Sequence, residues 1–157
     1  LINKSNQFNL TTIRYTEKQI DSFGNDSETG AFDFRLKDDY GDNGLIAVII
    51  CKNDNSETTG DSWQIDTWVM SCRVLGRNME EACLNAISSV AKERGKKCLI
   101  GKYSPTDRNS IVADLYTRLG FSKLPGGLEG EQLWRLDLKL FEPFIIPIQI
   151  EGLLQNE

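Results

Sequence analysis

The sequence predicts one α/β domain, and three features predict it. Leu45 to Ile50 reads Leu-Ile-Ala-Val-Ile-Ile, apolar on both faces as a strand in a sheet centre requires. From Met79, apolar side chains recur at Ala82, Cys83, Ala86, Ile87, Val90 and Ala91, the three-and-four spacing of one buried helical face. Between them Trp63 to Ser71 reads as a strand, joined to that helix by the short loop Cys72 to Asn78. At 157 residues the chain has the usual length of one domain and can bury a core without disulfide or metal support.

In chain order, Phe8 to Tyr15 alternates moderately and is rich in Thr and aromatic side chains, which predicts a strand. Thr16 then caps a helix, Gln19 reaches back in a capping box, Ile20 and Phe23 take the buried side and Gly24 ends it. Ala31 to Lys37 and Leu45 to Lys52 flank Asp39-Tyr-Gly-Asp-Asn-Gly44, whose Gly, Asn and Asp residues favour tight turns, so the pair predicts a hairpin. Asn53 to Ser62 is polar and predicts a loop, and Gly95 stops the helix that begins at Met79. Lys97 to Tyr103 predicts a strand. Asn109 to Leu119 predicts a helix with Ile111, Val112, Leu115 and Leu119 on one face and Gly120 at its end, and Gln132 to Leu140 predicts the last strand. The tail Phe141 to Glu157, with two prolines and several isoleucines, packs as an irregular arm or offers a partner surface; the sequence leaves both open.

Composition narrows the function. With 39% apolar and 26% charged residues and no apolar run near ~20 residues, the chain reads as soluble and globular, without a membrane span. No segment has the pattern of a secretory signal, so the cytoplasm is the expected location. A net charge of -5 argues against broad nucleic-acid affinity. The absence of histidine excludes Ser-His and Cys-His nucleophile pairs and argues against a transition-metal site. Cys51, Cys72, Cys83 and Cys98 are widely separated and none sits in a C-x-x-C pair, so reduced thiols and no metal are expected.

The strand, loop and helix from Trp63 onward outline an anion site. Backbone N–H groups of the loop and of the helix start can hold a phosphate, Arg73 and Arg77 add charge, and Gly76 allows close approach. The same residues also fit a purely structural role, with Asn78 capping the helix, Glu81 completing a capping box and both arginines in solvent. Asn109 to Phe121 follows one helix and one strand downstream.

Arg73-x-x-Gly76-x-Asn78 resembles the R-x-x-G-x-(G or A) signature of the GNAT acetyltransferase superfamily, and Asn109 to Phe121 resembles its N-x(6)-Y-x-x-x-G-F segment. The resemblance covers roughly Phe8 to Leu140. It implies a GNAT-like twisted mixed sheet of six to seven strands with helices on both faces. Asn3 to Thr12, Asp42-Asn-Gly44 and Ile65 to Arg77 together resemble, more narrowly, the C-terminal domain of FkbH-like proteins. In that family a haloacid-dehalogenase-like domain precedes this one, and the pair loads a glyceryl unit onto an acyl carrier protein. The lack of an initiator Met and of a D-x-D-x-T motif fits residues 1–157 as one domain cut from such a protein.

The resemblance implies, as cofactor, coenzyme A or the phosphopantetheine of a carrier protein, and as partners the carrier and the upstream domain. The strand edge Val69, Met70 and Ser71 would pair with pantetheine amides, the amides of Val74, Leu75, Gly76, Arg77 and Asn78 would face phosphate beside Arg73, and Asn109 and Tyr116 would approach the thiol. Tyr116 is then either the acid that protonates a thiolate leaving group or an aromatic packed in the core. Asp66, the only charged residue on its strand, is either a base or a hydrogen-bonded rim carboxylate. Cys72, beside Arg73 and near a helix start, is either a thiolate nucleophile or an inert cysteine. Asn78 is bulkier than the residue the signature calls for, and Glu80 and Glu81 put negative charge in the first helical turn, where it repels an anionic ligand. A carrier-bound arm, with one phosphodiester, suits such a site better than coenzyme A. Two readings from other directions stand beside acyl transfer: a non-catalytic module that grips carrier or upstream domain, and an acetyl-coenzyme A dependent N-acetyltransferase.

Overall fold

The structure is a computed structural model that describes residues 8–11, 15–24, 28–54, 61–128 and 130–152. Six strands form one mixed sheet: β1 (Gly30–Asp38), β2 (Gly41–Asp54), β3 (Ser62–Met70), β4 (Cys98–Tyr103), β5 (Ser122–Leu124) and β6 (Gln132–Asp137). Their order is β1-β2-β3-β4-β6-β5, and every neighbouring pair is antiparallel except β3 with β4. The helices are α1 (Glu17–Gly24), α2 (Met79–Glu93) and the short α3 (Leu115–Arg118).

The capping box of α1 forms as expected: Thr16 N–H donates to Gln19 Oε1 at 2.9 Å and Gln19 N–H to Thr16 Oγ1 at 3.2 Å. Phe23 packs edge-on against Tyr15, with ring centroids 5.0 Å apart. The side chain of Ile20 lies outside the described residues. The hairpin turns more tightly than the sequence suggests, because Asp38 already faces Gly41 across the ladder. Gly41 and Gly44, at φ 135° and 67°, let β2 begin within the expected turn, at the expense of two register shifts along β1.

Alternation along β2 separates two apolar clusters. Ile49 and Cys51 join the main one, to which α2 contributes Met79, Cys83, Leu84, Ile87, Val90 and Ala91, while Val48 and Ile50 join Tyr15, Phe23 and Val69 in the other. Helices therefore cover both faces of the sheet, as expected. A Schellman motif ends α2: Gly95, at φ 75°, donates to Lys92 O at 3.0 Å and Lys96 to Ala91 O at 2.9 Å. The tail is an irregular arm through residue 152, with Phe141, Phe144 and Ile148 packed against the main cluster. Asn85 on α2 clamps it, donating from Nδ2 to Phe144 O at 3.0 Å and accepting Phe144 N–H at 2.9 Å.

Three expectations need correction. The predicted helix Asn109 to Leu119 breaks into a 3-10 turn at Ser110–Val112 and α3. Bonds of the tighter i to i+3 kind, Val112 N–H to Asn109 O and Ala113 N–H to Ser110 O, rotate Ile111 outward, where it is 53% exposed; Val112, Leu115 and Leu119 stay buried. The last strand stops at Asp137 and is flanked by β5, too short to carry an alternating pattern. Of the first predicted strand, the described residues 8–11 make a single bridge, from Asn9 to Val69, and Tyr15 is in no strand; residues 12–14 lie outside the described residues, as do 55–60 of the predicted loop.

Candidate functional site

Strands β3 and β4 run parallel and pair over only four residues each, Ser62 to Ile65 against Cys98 to Gly101. Beyond Ile65, β3 carries a bulge: Ile50 faces Thr67 and Cys51 faces Ile65, leaving Asp66 without an opposite residue. The bulge keeps Trp63 and Ile65 on the same face as Trp68 and Met70, all four in the main core. The two strands then part. Residues 8–11 fill the gap, with Phe8, Asn9 and Leu10 at most 1% exposed. On the β3 side Leu10 N–H donates to Trp68 O at 3.3 Å, Met70 N–H to Phe8 O at 3.2 Å, and Thr11 Oγ1 to Asp66 O at 2.8 Å. On the β4 side Ser104 N–H donates to Leu10 O at 2.7 Å. The backbone assigned to pantetheine by resemblance is thus paired internally: Val69 bridges Asn9, Met70 bonds Phe8, and Ser71 N–H donates to Ile46 O at 2.8 Å.

Asn109 sits at the closed side of this gap, fully buried. Its Nδ2 donates to Asn9 O and to Ser104 O, each at 2.9 Å, and its Oδ1 accepts Thr106 N–H at 2.7 Å. Both ends of the amide are therefore engaged in joining residue 9 to the 104–109 loop. Tyr116 is 2% exposed, its ring among Trp68, Phe121 and Trp134. Its hydroxyl lacks a hydrogen bond of good geometry, although the Lys102 backbone lies near. Burial pushes the phenol far above its ordinary pKa, an effect that the Lys102 backbone only partly offsets. Tyr116 therefore stays protonated at neutral pH, as an acid must, but without access from solvent.

The loop after β3 uses the donors of Val74, Leu75 and Arg77 locally. Val74 N–H donates to Ser71 O, Leu75 N–H to Cys72 O and Arg77 N–H to Val74 O, closing a 3-10 turn at Cys72–Val74. Gly76 and Asn78 take left-handed conformations, at φ 74° and 62°, and a Cβ on Gly76 would meet open space, so conformation rather than crowding calls for glycine there. Asn78 stands at the start of α2, but its side chain makes no capping bond. Arg73 donates from Nε to Ser71 Oγ at 3.0 Å and from a terminal nitrogen to Asn43 O at 3.3 Å. Arg77 pairs with Asp38 at 2.7 Å. Glu80 is buried at the start of α2 and Glu81 is half-buried beside it.

Arg77, with help from Tyr40 N–H and the Asn43 amide, holds the Asp38 carboxyl down at about 2. A depressed carboxylate contributes stability above its ordinary pKa and loses it as pH falls through the folded value, here between about 4 and 2. An NMR titration of Asp38 is expected to move upward in Arg77→Gln. An unchanged midpoint would assign the shift to Tyr40 and Asn43.

Asp66 belongs to a cluster that motif reading missed. Tyr15 Oη donates to Asp66 Oδ2 in a very short contact, Thr67 Oγ1 donates to the same oxygen at 3.2 Å, and Lys52 Nζ lies 3.7 Å from it. Lys52 also donates to Tyr15 Oη at 3.1 Å and stands over the rings of Tyr15 and Phe23. Partial burial, then the hydrogen bond to Asp66, raises the Tyr15 pKa; burial works against the Lys52 ammonium, but its bond to Tyr15 and the Asp66 charge outweigh it and raise that pKa as well. The break in alternation at Asp66 was the available signal. Cys72 is exposed at the mouth of the 3-10 turn, away from the buried Cys51, Cys83 and Cys98. Burial pushes the Cys51 and Cys83 thiols far up, so neither is a nucleophile. The structure thus gathers Val69, Met70, Asn109 and Tyr116 around one gap, with Cys72, Arg73 and Arg77 on the loop beyond it. No three metal-ligating side chains gather among the described residues, and no described helix is long and apolar enough to cross a membrane.

No family model and no curated protein matches the chain. Solved structures do. The GNAT domain of S. lividans PAT superposes with a TM-score of 0.62 at 16% identity, covering 79% of this chain and 70% of that one. The ribosomal-protein-S18-alanine N-acetyltransferase from Escherichia coli gives 0.56 at 14%, covering 87% and 85%. A domain from Methanocaldococcus jannaschii gives 0.58 at 15%, covering 82% and 81%. The likeness is one of architecture, and it assigns this chain the GNAT fold.

Proposed function

We propose that this GNAT-fold domain is an acyltransferase that handles a pantetheine thioester and passes an acyl group, glyceryl-like, to the phosphopantetheine thiol of an acyl carrier protein. The observation that carries the reading is the parting of β3 and β4, where Trp68 O and Met70 N–H, paired in this structure with Leu10 and Phe8, are the groups that an extended, strand-like ligand would take in place of residues 8–11. Pantetheine is such a ligand, with two amides along its length. Two structural neighbours are named as GNAT or acetyltransferase proteins, which favours acyl transfer as the reaction class. Buried Glu80 and adjacent Glu81 at the start of α2 disfavour the several phosphates of coenzyme A and favour a carrier-borne arm. The expected setting is cytoplasmic, with a haloacid-dehalogenase-like domain upstream supplying the acyl group.

Two chemical routes fit. In the covalent one the Cys72 thiolate attacks the donor thioester carbonyl, the donor thiolate leaves and takes a proton, and the carrier thiol then attacks the Cys72 thioester and restores the cysteine. In the direct one the carrier thiol attacks the donor itself and Tyr116 protonates the leaving thiolate, which requires an opening of the core around Tyr116. A preformed acyl thioester is expected to add one acyl mass to Cys72 and none in Cys72→Ser. Full transfer by Cys72→Ser would sink the covalent route. Titration with holo and apo carrier tests the reading as a whole, because equal binding, or none, removes the arm.

A second reading is a non-catalytic module that grips the carrier or the upstream domain. The internally paired gap and the enclosed Tyr116 favour it over an acetyl-coenzyme A dependent N-acetyltransferase, which would need an open slot and an amine site.

A further inference from the structure

We propose that residues 8–11 decide which pantetheine donor this domain accepts, by holding the gap between β3 and β4 shut against free coenzyme A and opening for an arm delivered on a carrier protein. The inference rests on the pantetheine reading above and deepens it. The segment is tied on both of its sides. Towards β3 its backbone bonds are long, 3.3 Å from Leu10 N–H to Trp68 O and 3.2 Å from Met70 N–H to Phe8 O. Beyond β4 one backbone bond and one side-chain bond hold it: Ser104 N–H reaches Leu10 O at 2.7 Å, and Asn109 Nδ2 reaches Asn9 O at 2.9 Å. The β3 side, where the one short tie is a side-chain bond from Thr11 Oγ1 to Asp66 O at 2.8 Å, is the edge that a strand-like arm would take. Residues 8–11 can thus swing off β3 while remaining anchored to Ser104 and Asn109, and the arm enters between them and β3.

Opening has a cost, because Phe8 packs against Trp68 with centroids 6.1 Å apart and Leu10 is 1% exposed. A ligand that binds only the open form has its apparent affinity reduced by the open fraction. Free coenzyme A must meet that cost from the gap alone, while the acidic first turn of α2, with Glu80 and Glu81, disfavours its several phosphates. A carrier protein adds contacts of its own outside the gap, so the same penalty leaves it able to bind. Thr11 is the adjustable tie, since its Oγ1 holds Asp66 O at 2.8 Å without adding bulk to the core.

The test measures amide hydrogen exchange and affinity together on this chain, with coenzyme A, holo acyl carrier protein and apo acyl carrier protein as probes. On adding holo carrier, the Leu10 amide should lose protection because the arm takes Trp68 O, whereas the Ser104 and Met70 amides should keep theirs. Thr11→Val should tighten holo-carrier binding roughly threefold to tenfold, the worth of one net hydrogen bond, and should bring coenzyme A binding into measurable range. A thermal melt confirms that the variant is folded, and the exchange result on the unmodified chain stands without it. Holo-carrier binding with Leu10 still protected overturns the proposal while leaving the carrier reading intact, and so does coenzyme A binding as tight as holo carrier. Equal binding of holo and apo carrier fails the pantetheine reading itself, and this inference falls with it.

Discussion

Gly101→Ala is expected to destabilise the domain by on the order of 3 kcal/mol, lowering its melting temperature by roughly 6–12 °C. A Cβ at this position would lie 2.5 Å from both Cε1 and Cζ of Tyr116, well inside van der Waals contact. Neither side can give way easily. Gly101 is fixed by ladder pairing to Ile65 on one side and Trp134 on the other, and the Tyr116 ring is enclosed by Trp68, Phe121 and Trp134. Tyr116→Phe provides the contrast, because it removes a hydroxyl without a well-formed hydrogen bond and should leave stability within about 1 kcal/mol. Thermal melts of both variants check the pair. Wild-type stability in Gly101→Ala would mean that the ring does not rest on this glycine.

Asn109→Ala is expected to lose about 3–5 kcal/mol, since it strips the buried Asn9 O and the part-buried Ser104 O and Thr106 N–H of a partner at once. Asn109→Asp should be worse. A carboxylate can still accept from Thr106 but has nothing to donate, and would face two carbonyl oxygens with its charge buried. Denaturant unfolding checks both, with a loss below about 1 kcal/mol for Ala contradicting the clamp. A residue expected by resemblance to approach a thiol is, in this arrangement, fully used in joining the first described residues to the loop after β4.

What the sequence disclosed follows the range of the interactions involved. The α2 helix was legible because its signal is local: seven apolar positions at helical spacing and Gly95 just past the end. The box of Thr16 and Gln19 was legible for the same reason. The helix predicted from Asn109 opens as a 3-10 turn, and one partner of the Asn109 amide is Asn9, 100 residues away, so no window along the chain contains both. The loop Arg73 to Asn78 was located correctly between β3 and α2, yet the partners of its arginines, Asn43 and Asp38, lie 30 and 39 residues upstream. The bulge left a readable trace, since the core residues of β3 run 63, 65, 68, 70 rather than in strict alternation. Tyr15 and Lys52 carried none, because nothing in their own neighbourhoods relates them to Asp66.

Those distant bonds also bear on the order in which the domain completes itself during synthesis. Residues 8–11 leave the ribosome early, but Ser104 and Asn109, which hold one side of them, are made about 95 to 100 residues later. At roughly 5–20 residues per second, the wait is of the order of 5–20 s. Throughout it Phe8 and Leu10, which end at 0% and 1% exposure, have no finished core to enter. The slot between β3 and β4 must likewise stand open as the strands first pair, which makes the nascent chain rather than the finished domain the species most exposed to a chaperone, or to a strand from a neighbouring copy.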